Sequence, residues 1–356
     1  MNNRIDRAVE TRKGEELNKQ NLAVYLKNKL ADFDGEIQIK QFPGGFSNLT
    51  YLIITKNQEY VLRKPPFGAN IKSAHDMNRE FKVLSLLEPV YPKIPKPILF
   101  CNDENIIGSA FYLMERVSGI ILRNHIPKGL ELTSDNFKSL SGQTIDNLVD
   151  LHNLEIEESQ LISLGKPKGY VKRQVRGWSE RYFRAETDDI RAMNFTVEWM
   201  GDNLPVNSTI SFIHYDYKYD NLVLDVDSLE IKAVLDWEMA TVGDPLMDLG
   251  TTLAYWVEKN EHPALQQFNL TWMEGNLTRQ EVNVKYAELR GVNLEEILFY
   301  YVFGCFKLAV IAQQIYTRYK KGFTKDERFA GLIHVVKACG KNAENAIKFN
   351  RINNFY

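Results

Sequence analysis

The sequence is short of cysteine, of net charge and of long apolar runs, and each shortage excludes a class of protein. Only three cysteines, Cys101, Cys305 and Cys339, occur in 356 residues. Their wide separation allows neither a disulfide framework nor the close pairs of a metal knuckle, so a reduced, cytoplasmic setting is expected. The 44 basic and 46 acidic side chains nearly cancel, leaving a formal charge of −2. Without an overall positive field a chain is not drawn to polyanions, which argues against nucleic-acid and membrane-surface partners. The leading segment MNNRIDRAVETRKGEELNKQ is polar throughout and lacks the apolar stretch of a secretory signal. Asn-x-Ser/Thr triplets at Asn48, Asn194, Asn207, Asn269 and Asn276 are accordingly not expected to carry glycans. The most apolar run, Leu298–Ala312, is shorter than a bilayer requires and contains Lys307, so a buried core helix is expected there.

What the chain does have is 44% hydrophobic and 12% aromatic residues, enough to bury a substantial core. At roughly 100–200 residues per domain its length suits two lobes. A leading helix is predicted over Glu15–Leu30 from the spacing of its leucines. Alternation then predicts a strand at Glu36–Phe42, and apolar runs separated by the turn-like Lys56-Asn57-Gln58 predict strands at Leu49–Ile54 and Glu59–Leu62. A helix follows over Ala69–Leu87, then strands at Pro97–Cys101 and Ser109–Val117 about a turn at Asn102–Asn105. After Gly119 helical periodicity dominates, with brief strands only at Ser211–His214, Leu222–Leu224 and Ile231–Leu235. No internal repeat is found. The expected class is α+β: an N-terminal helical extension over 1–34, a small antiparallel sheet lobe with one main helix over 35–117, and a larger, mostly helical lobe over 118–356.

The densest chemical signal lies in FIHYDYKYDNLVLD and the following VLDWEMATVGDPLMDLG. Asp216 precedes Asn221 with four residues between, and Asp236 ends an apolar strand. Phosphoryl transfer needs this inventory: one carboxylate to orient and deprotonate a hydroxyl, and Asn and Asp oxygens to hold Mg²⁺ against phosphates. A hairpin over Leu222–Leu235 would bring Asn221 and Asp236 side by side. Asp225 and Asp227 read as ordinary turn residues.

These ordered motifs resemble the aminoglycoside phosphotransferase and choline kinase branch of the protein-kinase-like superfamily, and within it the kinase-like domain fused to some acyl-CoA dehydrogenases. With motifs the resemblance runs from about Asp34 to Asp248. It implies a protein-kinase-like two-lobe fold, with Asp216 as catalytic base, Asn221 and Asp236 as magnesium ligands and Asp248 as support for the catalytic loop. It also implies that Gly44, Gly45, Ser47 and Asn48 cover the phosphates, where glycine lets backbone approach them. Arg63 stands where protein kinases carry lysine, and its forked guanidinium can bridge Glu80 and the phosphates. Lys64 points the other way by strand parity. Met114 would guard the back of an adenine pocket whose edge meets the main chain of Glu115 and Val117. Lys218 could neutralise charge on the transferring group, whereas His214 reads as a packed, hydrogen-bonded histidine and His152 as a structural one. Tyr215 replaces the arginine of the protein-kinase catalytic triplet, and Asp236-Trp237-Glu238 lacks the usual glycine. Control by loop phosphorylation and a protein substrate are therefore not expected.

The acceptor is the least legible part. Lys166, Lys168, Lys172, Arg173, Arg176, Arg181 and Arg184 form a basic cluster. Facing the site it would favour an anionic acceptor such as a hydroxyacyl-CoA; otherwise it is a solvated helix face. Tyr170, Trp178, Tyr182, Tyr217, Tyr219, Trp237 and Trp256 could wall an apolar or sugar-like body, although aromatics at helical spacing are more often core. The expectation is an ATP- or GTP- and Mg²⁺-dependent small-molecule hydroxyl kinase; the alternative is a catalytically silent nucleotide-binding module of the same fold.

Overall fold

The computed structural model describes residues 5–30, 33–43, 48–66, 76–206, 208–324 and 326–355. Gly44, Gly45 and Ser47 of the expected glycine loop lie outside them, as does the start of the helix expected from Ala69. Contacts group the chain into two compact units, Met1–Ile120 with Val223–Glu238, and Ile121–Leu222 with Met239–Tyr356. These lines differ from the expected ones in two places, and hydrogen bonds supply the reason. The leading segment joins the first unit because Val9 and Gln41 exchange two 2.8 Å bonds and the Tyr51 hydroxyl donates to the Glu15 carbonyl at 2.7 Å. Val223–Glu238 joins it because Leu224 and Ile120 exchange two bonds and Val234 N donates to Lys93 O, all at 2.8 Å.

The first unit is built on five strands, β1 (Gln38–Gln41), β2 (Leu49–Ile54), β3 (Glu59–Lys64), β4 (Pro97–Cys101) and β5 (Phe111–Glu115), in the antiparallel order β1-β2-β3-β5-β4. The central β3 sets Arg63 opposite Thr50 on one side and Tyr112 on the other. Alternate residues define two faces. Tyr51, Ile53, Tyr60, Leu62, Phe111 and Leu113 pack with Leu22 and Leu26 of helix α1 (Lys19–Lys27). Arg63 takes the opposite face, toward Glu80 of helix α2 (Met77–Leu87), whose start is capped by the Asp76 carboxylate accepting from Arg79 N. The turn expected at Asn102–Asn105 instead begins a short helix, α3 (Glu104–Ile107), because Asp103 caps it through the Asn105 amide.

The second unit holds α4 (Ser134–His152), α5 (Tyr170–Ala185), α6 (Arg191–Asp202), α7 (Pro245–Tyr255), α8 (Pro263–Gln266), α9 (Arg279–Arg290), α10 (Ile297–Lys320) and α11 (Leu332–Phe349). It also holds strand β6 (Ser211–Ile213), which pairs with β9 (Thr241–Gly243), whereas β7 (Leu222–Leu224) and β8 (Ile231–Val234) pair in the segment that joins the first unit. Helix α10 is longer than its apolar run implied. At 24 residues it has the length to cross a membrane, and 78% of its apolar window is buried within the protein. It continues past Ala312 because Gln313, a polar residue that reads as an end, is itself buried and donates to the Ala185 carbonyl at 2.9 Å. Glycines let α7 and α10 approach closely: a Cβ on Gly304 would lie 2.1 Å from Gly250 O, and one on Gly250 2.1 Å from Tyr300 O.

Candidate active site

In the first unit, chemistry converges on Arg63. Its guanidinium, 8% exposed, bonds the Glu80 carboxylate and reaches Asp236 Oδ1 at 3.1 Å and Glu238 Oε2 at 3.8 Å. Asn48, just beyond the glycine loop, donates from Nδ2 to Glu238 Oε2 at 3.0 Å. Burial works against the charge on Arg63, but Glu80 and then Asp236 and Glu238 outweigh it and hold the guanidinium charged. Burial also pushes the Glu80 carboxyl above its usual range, against the pull of Arg63. Among the described residues Arg63 Nε has no hydrogen-bond partner. Strand parity places the neighbouring Lys64 on the other face, where it donates to the Ile107 carbonyl at 3.2 Å. Met114 is buried opposite Val61, and the exposed Glu115 donates its amide to the Lys96 carbonyl at 2.9 Å. Val117, two residues on, is half-buried.

In the second unit the chain between β6 and the short turn Tyr219–Asn221 forms a loop held by three helices. Asp248, on α7, accepts from His214 N at 2.7 Å and from Tyr215 N at 2.9 Å. His152 at the end of α4 donates from Nε2 to Asp248 at 3.2 Å and accepts from the Tyr286 hydroxyl at 2.7 Å through Nδ1. Burial holds this imidazole below its usual pKa despite Asp248, which suits a neutral ring that donates on one side and accepts on the other. His214 is fully buried and accepts from Asp216 N through Nδ1 at 3.2 Å. From α7, Thr252 donates to Tyr217 O at 3.2 Å; from α4, Asn147 donates to the Tyr217 hydroxyl at 2.8 Å.

This support presents Asp216. Its Oδ2 receives Lys218 Nζ at 2.8 Å and Asn221 Nδ2 at 3.2 Å, and its Oδ1 receives the Tyr255 hydroxyl at 2.9 Å. Burial opposes the charge, yet Lys218 and Lys307 outweigh it and hold the carboxyl below the usual aspartate value. Burial likewise opposes the charge on Lys218, and Asp216 outweighs it. The residue before Asp216 and the expected ligand Asp236 both adopt left-handed backbone, φ 68° at Tyr215 and 66° at Asp236. Non-glycine residues hold such angles only where their surroundings enforce them, commonly at functional sites.

Among the described residues no group of three or more His, Cys, Asp or Glu side chains is arranged to hold a metal. Among the described residues the Arg63 bond to Asp236 falls on Oδ1 and both side-chain bonds of Asn221 are made by Nδ2, which leaves Asp236 Oδ2 and Asn221 Oδ1 as candidate oxygen donors. Hard oxygen donors of this kind suit Mg²⁺, which takes one or two protein ligands and completes its shell with phosphates and water.

Several participants were not singled out from the sequence. Tyr255 and Glu238 lack a local signal; Lys307 had one, a lone cation inside an apolar helical run. The structure also places two features of the acceptor side. All seven members of the aromatic set are buried core residues. The seven basic residues around α5 are exposed, and several bind partners close by: Arg176 pairs with Glu180 at 2.8 Å, and Arg173 binds the Lys166 and Lys168 carbonyls.

Known proteins resemble this chain over most of its length. Human acyl-CoA dehydrogenase family member 11 is 35% identical over 331 residues, which cover 90% of this chain and 42% of the human protein. The chain spans less than half the length of the curated relatives it matches. A Ralstonia eutropha JMP134 protein provisionally classed as an aminoglycoside phosphotransferase superposes with a TM-score of 0.79 at 25% identity, covering 94% of this chain and 99% of that one. Choline kinase from Cryptosporidium parvum Iowa II shares the fold, with a TM-score of 0.57 at 14% identity over 92% of this chain and 96% of that one. Residues 38–279, which hold both clusters described above, match the model of the phosphotransferase enzyme family. The chain therefore belongs to that family and has its protein-kinase-like α+β fold.

Proposed function

We propose that this protein transfers the γ-phosphoryl group of ATP, or of GTP, to a hydroxyl of a small molecule. The observation that carries this reading is the setting of Asp216: a buried, ionised carboxylate on a strained loop, with a cation on one oxygen and a hydroxyl donor on the other. In the reaction the acceptor oxygen bonds to the γ-phosphorus, the bond to the β–γ bridging oxygen breaks, the nucleoside diphosphate leaves, and the acceptor proton passes to Asp216. A carboxyl held below its usual pKa is a weak base, so its main service is to aim the hydroxyl, as suits a loose phosphoryl-transfer transition state. Lys218 then offsets charge on the transferring group.

Arg63, fixed by Glu80, is the proposed phosphate fork. Gly44, Gly45, Ser47 and Asn48 would cover the phosphates, and the main chain of Glu115 and Val117 would meet the base in front of Met114. Asn221 Oδ1 and Asp236 Oδ2 would hold Mg²⁺, which when bound supplies charge neutralisation at the phosphate oxygens. Tyr215 in place of a phosphate-sensing arginine supports a small-molecule rather than a protein acceptor, and three free, buried cysteines suit the proposed cytoplasmic setting. The exposed cations around α5 leave a hydroxyacyl-CoA as one acceptor to test.

The experiment measures nucleotide consumption with Mg²⁺ and ATP or GTP against aminoglycosides, choline-like amines, sugars and hydroxyacyl-CoA thioesters. Acceptor-dependent turnover that Asp216→Asn lowers by about 10²–10⁴-fold, with nucleotide affinity retained, supports the proposal. Tight Mg·ATP binding without turnover on any acceptor favours a silent nucleotide-binding module instead.

A further inference from the structure

We propose that Lys307 is a positioning residue for the catalytic loop: from α10 its ammonium grips the Tyr215 carbonyl and fixes the left-handed turn that aims Asp216. Only the kinetic arm of the test rests on the phosphotransferase reading.

Lys307 is fully buried. Its Nζ donates to Tyr215 O and lies 3.7 Å from the centre of the Tyr215 ring and 5.7 Å from that of Trp178. Among the described residues it makes no ion pair, so one carbonyl, two aromatic faces and the more distant charges of Asp216 and Asp248 compensate the ammonium. A buried cation without an ion-pair partner is costly to fold, and an apolar side chain of similar volume is commonly neutral or stabilising in its place. Packing alone therefore gives no reason for lysine at this position.

The loop gives one. Tyr215 has φ 68°, a conformation that a bulky residue keeps only when held. Its residue is gripped at both ends, the amide by Asp248 Oδ1 of α7 at 2.9 Å and the carbonyl by Lys307 of α10. The next residue is Asp216. Because α7 and α10 cross through Gly250 and Gly304 with no room for a Cβ, the two grips are fixed relative to each other. Burial draws the Lys307 pKa down to about 8, against the attraction of Asp216 and Asp248, so the grip is cationic at neutral pH. Residue 307 also lies beyond the stretch matched by the family model.

Two variants test this in the full chain: Lys307→Met, which keeps length without charge or donor, and Lys307→Gln, which keeps a neutral donor. Each is followed by thermal melting, by amide hydrogen exchange of the 211–221 segment, by Mg·ATP affinity and by turnover. Expected for Lys307→Met are melting at or above wild type and nucleotide affinity within about threefold. Exchange at the Tyr215 and Asp216 amides should be at least about tenfold faster, and turnover at least about a hundredfold lower, as misplacement of a reacting group demands. Lys307→Gln should fall between. Exchange and turnover in a folded Lys307→Met variant that both match wild type overturn the proposal. So does global unfolding of both variants, which makes Lys307 an ordinary structural residue. If wild type turns over no acceptor, the functional reading fails while the exchange data still decide the role of Lys307.

Discussion

Arg63 shows how much one side chain in this protein is asked to balance. It is buried with Glu80, so removing either partner strands a charge in the interior. Arg63→Ala should cost about 3–5 kcal/mol, seen as a lower urea midpoint, and should weaken Mg·ATP binding by about tenfold or more, the equivalent of about 1.4 kcal/mol. Adding Glu80→Gln removes the orphaned charge and should recover part of the stability but none of the affinity. A double variant no more stable than Arg63→Ala would show that Glu80 is not the partner whose charge matters. At this scale the sequence was readable where partners are close along the chain. Arg63 and Glu80, 17 residues apart, were paired by the resemblance of their strand and the following helix to those of the family. Asp216 and Asn221 are five apart. Tyr255, 39 residues from Asp216, and Lys307, 92 from Tyr215, meet the loop only through tertiary packing, which no local pattern encodes.

Helices α7 and α10 carry the consequences at the scale of elements. Gly304→Ala would force a methyl against the Gly250 carbonyl, and backbone cannot yield as a flexible side chain can. A loss of about 3 kcal/mol or more is expected in urea unfolding; a loss under about 0.5 kcal/mol would mean that the helices can separate freely. The start of α7 gives a pH test. Asp244 caps it, accepting from Leu246 N at 2.9 Å and from the Tyr300 hydroxyl at 2.9 Å. Burial nevertheless pushes its pKa from 3.8 up to about 6. A folded pKa above the unfolded one means that the native state binds the extra proton, so this group's contribution to stability is lost as pH rises through about 4 to 6. Asp244→Asn keeps a capping oxygen and should be more stable than wild type at about pH 7.5 by about 1–3 kcal/mol, with the gap closing toward about pH 4. A gap independent of pH would contradict the assignment. The elements read best from sequence were short apolar runs bounded by turn residues, Leu49–Ile54 and Pro97–Cys101. The leading helix came out shorter, at Lys19–Lys27, because Glu15 turns to Arg12 and Gln41 instead of joining it. Helix α10 came out longer because buried Gln313 finds a partner in Ala185.

For the whole molecule, the order of three strands, a helix and two strands was legible in the first 120 residues, and the return of the chain was not. Val223–Glu238 belongs to the unit of the sheet, so Asp236 shares a cluster with Arg63 although 173 residues separate them. Composition and periodicity describe a hairpin there but not the body it joins. A phosphotransferase-family match over residues 38–279 and an Asp216 loop braced by α4, α7 and α10 support the proposed transfer of phosphate to a small hydroxyl. The most direct test incubates wild type and Asp216→Asn with Mg²⁺ and γ-labelled ATP in the presence of the acceptor panel and separates the products. The account predicts label on an acceptor in the wild type, with transfer about 10²–10⁴-fold lower in the variant. Equal transfer by both proteins, or label released only as free phosphate whatever the acceptor, would contradict it.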